Sequence, residues 1–125
     1  MDYAVYEATN ADGNILMLIN IIESNDLPFN DSDKGVKGPV LLHHGYGTDG
    51  TTWLQTADFP SPTFPERLFN DGYDVWVAFG RGTIESRAHT TLDADENATE
   101  YWDFGVEDLA KVDIPTFITE ILTVR

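Results

Sequence analysis

The stretch Val40 to Gly47, Val-Leu-Leu-His-His-Gly-Tyr-Gly, constrains this chain more than any other. Three consecutive apolar residues, bounded by Pro39 and by glycines, predict a short strand buried on both faces. A strand that stops in a glycine-flanked loop presents backbone N–H groups at the carboxyl edge of its sheet. In open α/β sheets that is the edge where ligands bind.

The segments around it supply the rest of such a sheet. Ala4 to Thr9 and Asn14 to Ile22 read as two strands, and Asn10-Ala11-Asp12-Gly13 between them carries the Asp-Gly hairpin signal. The second strand is apolar on both faces. Ser24 to Gly38 is a polar loop, and Thr48 to Pro65 holds three prolines, so regular helix is not expected before Pro65. Pro65 to Asn70 then reads as a short helix with proline in its first turn, ended by Asp71-Gly72. Tyr73 to Phe79 predicts a second central strand, broken by Gly80-Arg81-Gly82, and Thr83 to Thr99 reads as polar loop. From Asp113 the pattern becomes helical. Ile114, Phe117, Ile118, Ile121 and Leu122 form one apolar face, with Asp113 as its cap and Pro115 in its first turn. Hairpin, strand, helix, strand, helix is the order of an α/β sheet with an antiparallel edge.

Composition removes several kinds of chemistry. With no cysteine, disulfides, thiolate catalysis and zinc–thiolate sites are excluded. Seven basic against 22 acidic residues give a net charge of −15, which repels phosphate backbones and makes nucleic acid an unexpected partner. The longest apolar run, Ile15 to Ile19, is far too short to span a bilayer. Met1-Asp2-Tyr3-Ala4 lacks the basic and apolar regions of a signal peptide. Sequons occur at Asn30 and Asn97, a pattern frequent by chance.

Several local patterns suggest sites. Gly45-Tyr46-Gly47-Thr48-Asp49-Gly50 matches G-x-G-x-x-G directly after a strand, which leaves a dinucleotide-binding module as an alternative. That reading needs a helix opening at the last glycine and an acidic residue ending the next strand. The next strand ends in Phe79-Gly80-Arg81, where only Arg81, against a 2′-phosphate, could serve. Asp93 to Asn97 resembles the start of a calcium loop, but Ala98 stands where glycine is required and Phe104 where glutamate is, so a solvated acidic turn is the better reading. His43 and His44 are neighbours on a strand, where successive side chains face opposite ways and cannot readily share a metal. One is expected in the core, the other lining the loop. None of Ser24, Ser32, Ser61 and Ser86 sits in a G-x-S-x-G elbow.

Several segments together resemble the acid lipase family, the gastric and lysosomal type of α/β-hydrolase. They are Asp12–Leu16, Pro39–Gly45, Trp53, Asp71–Trp76, Gly80-Arg81-Gly82 with Ser86 and His89, and Tyr101–Phe104 leading to Asp113-Ile114-Pro115. The resemblance implies a partial α/β-hydrolase fold over 1–125, ending before the nucleophile elbow. It implies a hydrolase of neutral lipid esters that uses Ser, Asp and His without a cofactor or metal. The backbone N–H of Tyr46 matches an oxyanion-hole donor, with Gly45, Gly47 and His44 as its substrate-binding surroundings. Arg81, Ser86 and His89 match a structural stretch. Family members are usually secreted or lysosomal. By this reading the chain alone does not turn over substrate, and its sheet edge needs the missing carboxyl-terminal half or another chain to cover it. A non-catalytic binding or structural protein derived from the same fold is the alternative.

Overall fold

The computed structural model describes residues 2–22, 37–54 and 63–125. Residues 24–36 of the expected Ser24–Gly38 loop, the Asn30 sequon and residues 55–62 of the proline-rich connection lie outside them. Four strands, β1 (Asp2–Thr9), β2 (Ile15–Ile22), β3 (Pro39–His43) and β4 (Asp74–Phe79), form one sheet in the order β1-β2-β4-β3. β1 and β2 are an antiparallel hairpin whose register pairs Thr9 with Ile15, and β2 runs antiparallel to β4. β3 and β4 are parallel, Leu41 lying opposite Trp76. The result is the expected α/β sheet with an antiparallel edge.

The Asn10–Gly13 turn is built by its first residue. Asn10 Oδ1 accepts from the backbone N–H of Asp12 and Asn14, at 3.0 and 2.9 Å. Gly13 takes φ of 91°, the left-handed region a side chain resists.

Each face of the sheet carries its own core. On one, Leu16, Leu18, Trp76 and Ala78 pack with Phe117 and Ile121 of α4 (Ile114–Val124). On the other, Ile19, Ile21, Leu42, Val75, Val77 and Phe79 are covered by Leu68 and Phe69 of α1 (Phe64–Asn70) and by Trp53 of a 3₁₀ turn, Gly50–Leu54. Period-two alternation explains the division: a strand with apolar residues at every position feeds both layers. All six residues of β4 are buried. α1 opens with Thr63 accepting from Glu66 N–H, and Pro65 lies in its first turn.

Three expectations are corrected. β3 is not buried on both faces: only Leu42 is buried, while Val40, Leu41 and His43 are half-exposed. Among the described residues β3 pairs only with β4, so its other edge has no neighbour to shield it. Asp113 is not a helix cap. Helix begins earlier, at α3 (Val106–Asp108), and continues through a π turn, Leu109–Asp113, into α4. Asp113 has helical φ and ψ, and its side chain caps nothing there. Pro115 therefore lies inside a continuous helix, where it lacks an N–H and crowds the preceding turn. The wide π turn just before it relieves that crowding, and Thr116 Oγ1 donates to Val112 O at 2.7 Å. Finally, Phe117 and Ile121 are buried, but Ile118 and Leu122 are exposed. The one-turn α2 (Ala98–Tyr101) begins at the end of the expected loop. Among the described residues no helix is long and apolar enough to cross a membrane.

Candidate functional site

The carboxyl ends of β3 and β4 lie side by side and open into a cleft of about 450 Å³. One wall is the loop after β3: His44, Tyr46, Gly47, Thr48 and Asp49. The other comes from residues after β4: Arg81, Gly82, Thr83, Ile84, Trp102, Phe104 and Leu109.

The first wall is shaped by a turn over Gly45–Thr48. Thr48 N–H and Thr48 Oγ1 both donate to Gly45 O, at 3.2 and 2.8 Å. Gly47 has φ of 85°, while Tyr46 is not at positive φ. That combination is a type II turn, which demands glycine at its third position. Tyr46 occupies the second position, outside the ladder of β3, and the residue is 64% exposed. Among the described residues no group accepts from its N–H. The loop is tied down by His44. Gly80 N–H donates to His44 Nε2 at 2.9 Å, and Nδ1 lies 2.8 Å from Gly45 O. Those partners assign the proton to Nδ1. One imidazole thus couples the two strand ends.

His43 and His44 do not diverge as expected. Their rings stack, centroids 4.5 Å apart. His44 lies just beyond the last ladder residue, where the pleat no longer turns successive side chains to opposite faces. His43 Nδ1 lies 2.7 Å from His44 O, and its buried Nε2 has no partner among the described residues. Burial lowers the His43 pKa, favouring the neutral ring. His44 does line the loop, as expected. Among the described residues no group of His, Asp and Glu is arranged to hold a metal ion.

The second wall rests on a closed ionic junction. Arg81 and Asp113 are both buried. Asp113 Oδ1 accepts from Arg81 Nε (3.0 Å), Arg81 Nη2 (2.9 Å) and Asn10 Nδ2 (2.7 Å), and Oδ2 accepts from Arg81 N–H (3.0 Å). Arg81 Nη1 reaches Asp12 Oδ2 at 2.9 Å. Burial opposes the charge on Arg81, but the hydrogen bonds and charges of Asp113 and Asp12 outweigh it and raise its pKa. Each guanidinium nitrogen already meets a carboxylate, so a 2′-phosphate would have to compete with Asp113 and Asp12 for it. Gly50, the last glycine of the G-x-G-x-x-G pattern, opens a 3₁₀ turn rather than an α-helix.

Ser86 and His89 are structural, as the resemblance implied. Buried Ser86 donates from Oγ to Phe79 O at 2.6 Å and accepts from Met17 N–H at 2.7 Å, joining β4 to β2. His89 Nε2 contacts Asp12 O at 2.8 Å, and its Nδ1 accepts from the N–H of Thr91 and Leu92. The Asp93 turn is internal: Asp93 Oδ1 accepts from the N–H of Asp95 and Glu96, which lowers its pKa. The aromatic part of the second wall went unplaced in the sequence reading. Trp102 Nε1 donates to Ala94 O at 3.0 Å, its ring meets Tyr101 edge to face, and Arg81 stands over the Phe104 ring. Trp-Asp-Phe in a polar stretch was the available signal, while Ile84 and Leu109 carried none.

No family model matches the chain. It is 37% identical over 117 residues to human lysosomal acid lipase/cholesteryl ester hydrolase, covering 94% of this chain. Mouse lipase member N is 34% identical and human lipase member K 32%, each over 120 residues. The chain belongs to the acid lipase family. It spans about 28% of the length of these three relatives. Within this family the four-stranded mixed sheet is a partial α/β-hydrolase fold, and the cleft lies at the carboxyl edge of its parallel strands.

Proposed function

We propose that residues 1–125 are the amino-terminal portion of a lipid ester hydrolase domain, and that the backbone N–H of Tyr46 is one donor of its oxyanion hole. The observation carrying this reading is the type II turn at Gly45–Thr48. It sets one N–H outside the sheet ladder, unmatched among the described residues, at the mouth of an apolar-walled cleft. A tetrahedral oxyanion needs such fixed donors, and they contribute most where the site is dry. Gly45 and Gly47 give the turn its shape. His44 holds it against Gly80.

The nucleophile must come from elsewhere, since no G-x-S-x-G occurs in these 125 residues. The topology supports a place for it. α1 crosses from β3 to β4 on one face of the sheet, and α4 leaves β4 across the other. With right-handed crossovers, changing faces reverses direction, so a strand following α4 passes β3 and pairs with its free edge. Its carboxyl end then stands beside the Tyr46 loop, at the switch point of the sheet. Until that edge is covered it invites pairing with other chains. The isolated chain should therefore self-associate, and a monodisperse monomer in sedimentation would contradict this.

The experiment combines the chain with a carboxyl-terminal half of an acid lipase that carries the serine elbow, and follows hydrolysis of a long-chain nitrophenyl ester. Tyr46→Pro is the decisive variant. Proline suits the second position of a type II turn but removes the N–H. The rate should fall by about 10²–10³, the loss typical of one oxyanion donor, while Tyr46→Phe stays near wild type. Equal rates for Tyr46→Pro and wild type would remove the oxyanion role.

A further inference from the structure

The cleft beside Tyr46 carries a net sign of charge, which depends on which of its ionisable groups are already matched. Its lining contains four: His44, Tyr46, Asp49 and Arg81. The Arg81 guanidinium is already bonded to Asp113 and Asp12. Both ring nitrogens of His44 engage backbone groups, Gly80 N–H and Gly45 O. Tyr46 contributes an exposed phenol. Among the described residues Asp49 is the charged lining residue with no salt-bridge partner. Its Oδ1 accepts from Thr51 N–H at 2.9 Å and from the Thr51 hydroxyl. Those two bonds keep its pKa below the usual carboxylate value. The facing wall, Ile84, Trp102, Phe104 and Leu109, supplies apolar surface.

We propose that Asp49 makes this cleft selective for uncharged acyl esters over anions of the same chain length. This deepens the ester-hydrolase reading and rests on it. The apolar wall takes an alkyl chain of either ligand, and the carboxylate opposes a second negative charge. Anionic head groups are disfavoured as substrates. So is the fatty-acid anion, formed when water cleaves the ester and the released acid gives its proton to solvent. Asp49 thereby favours both neutral substrates and product departure.

The test is a binding measurement on the 125-residue chain, below the concentration at which it self-associates. The probes are bromine-terminated decanoate and its methyl ester. Trp102 is the tryptophan lining the cleft, and bromine at the chain end quenches it. Wild type should prefer the ester by about fivefold, the effect of one unit charge at contact distance in water, and added salt should shrink the preference. Asp49→Asn keeps an oxygen acceptor for Thr51 and should bind both probes alike. Asp49→Ser, which retains a short hydroxyl acceptor, should match it. Asp71→Asn removes an exposed charge before the amino end of β4, at the opposite end of the sheet from the cleft, and should keep the wild-type preference. The proposal is overturned if wild type does not discriminate, if Asp49→Asn keeps the preference, if Asp71→Asn loses it equally, or if neither probe quenches. Hydrolysis by the recombined halves does not enter this readout. Active halves with no ligand preference would remove the role of Asp49 and leave the enzyme reading standing.

Discussion

The loops leaving β3 and β4 start side by side and are used in opposite ways. After β4, the chain closes on itself. Arg81 is buried against Asp113 and Asp12, Asn10 adds a bond to Asp113, Ser86 ties Phe79 O to Met17 N–H, and Gly82 leaves no space between its backbone and the rings of Trp102 and Phe104. After β3, the chain stays open. Gly47 has nothing within 4 Å of where a Cβ would sit, Tyr46 is exposed, and its N–H has no acceptor among the described residues. One loop is a foundation whose polar groups satisfy each other. The other leaves polar groups open at the mouth of the cleft. Buried polar groups are costly unless matched, so a protein places its unmatched donors at an open mouth.

The contrast is breakable by mutation. Asp113→Ala should have the largest effect, about 3–5 kcal/mol of stability in denaturant titration, because it strands a buried guanidinium. Gly82→Ala should cost about 2–4 kcal/mol. It combines the left-handed φ of 84° with a Cβ only 2.7 Å from Trp102. Gly47→Ala, at nearly the same φ but in open space, should cost about 1–2 kcal/mol. If the two alanine variants melt alike, the division into a closed and an open loop fails. The smallest effect is a pH dependence at the foot of the open loop. Burial lowers the His43 pKa from its ordinary 6.5, so the unfolded chain binds that proton more readily than the folded one. The stability His43 contributes is therefore whole above about pH 6.5 and declines as pH falls below it. His43→Gln should flatten that part of the melting-temperature profile, and an unchanged slope would place the titration elsewhere.

Features set by neighbours in sequence were legible. Asp12-Gly13 marked the hairpin, Asp71-Gly72 the end of α1, and Gly47 the turn that carries Tyr46. In each case a dihedral requirement acts within four residues. Asp113 shows where this stops. Before a proline and an apolar helical stripe it reads as a cap. Its partners are Arg81, 32 residues away, and Asn10, 103 residues away, and no local pattern encodes them. They draw the carboxylate inward and place it in the π turn, where the helix accommodates Pro115. The exposure of β3 is similar. Val-Leu-Leu specifies a strand, while its place at an edge depends on which strands lie beside it.

By itself, then, the sequence determined the elements, their order and the glycine turn at the rim, because steric limits on φ and ψ and the spacing of apolar residues are local. Only the tertiary structure decided that Arg81 is locked to Asp113, that His43 and His44 stack, and that a carboxylate and an aromatic wall face each other across one cleft. Such contacts join residues far apart along the chain, and their energies exist only once the sheet has brought those residues together.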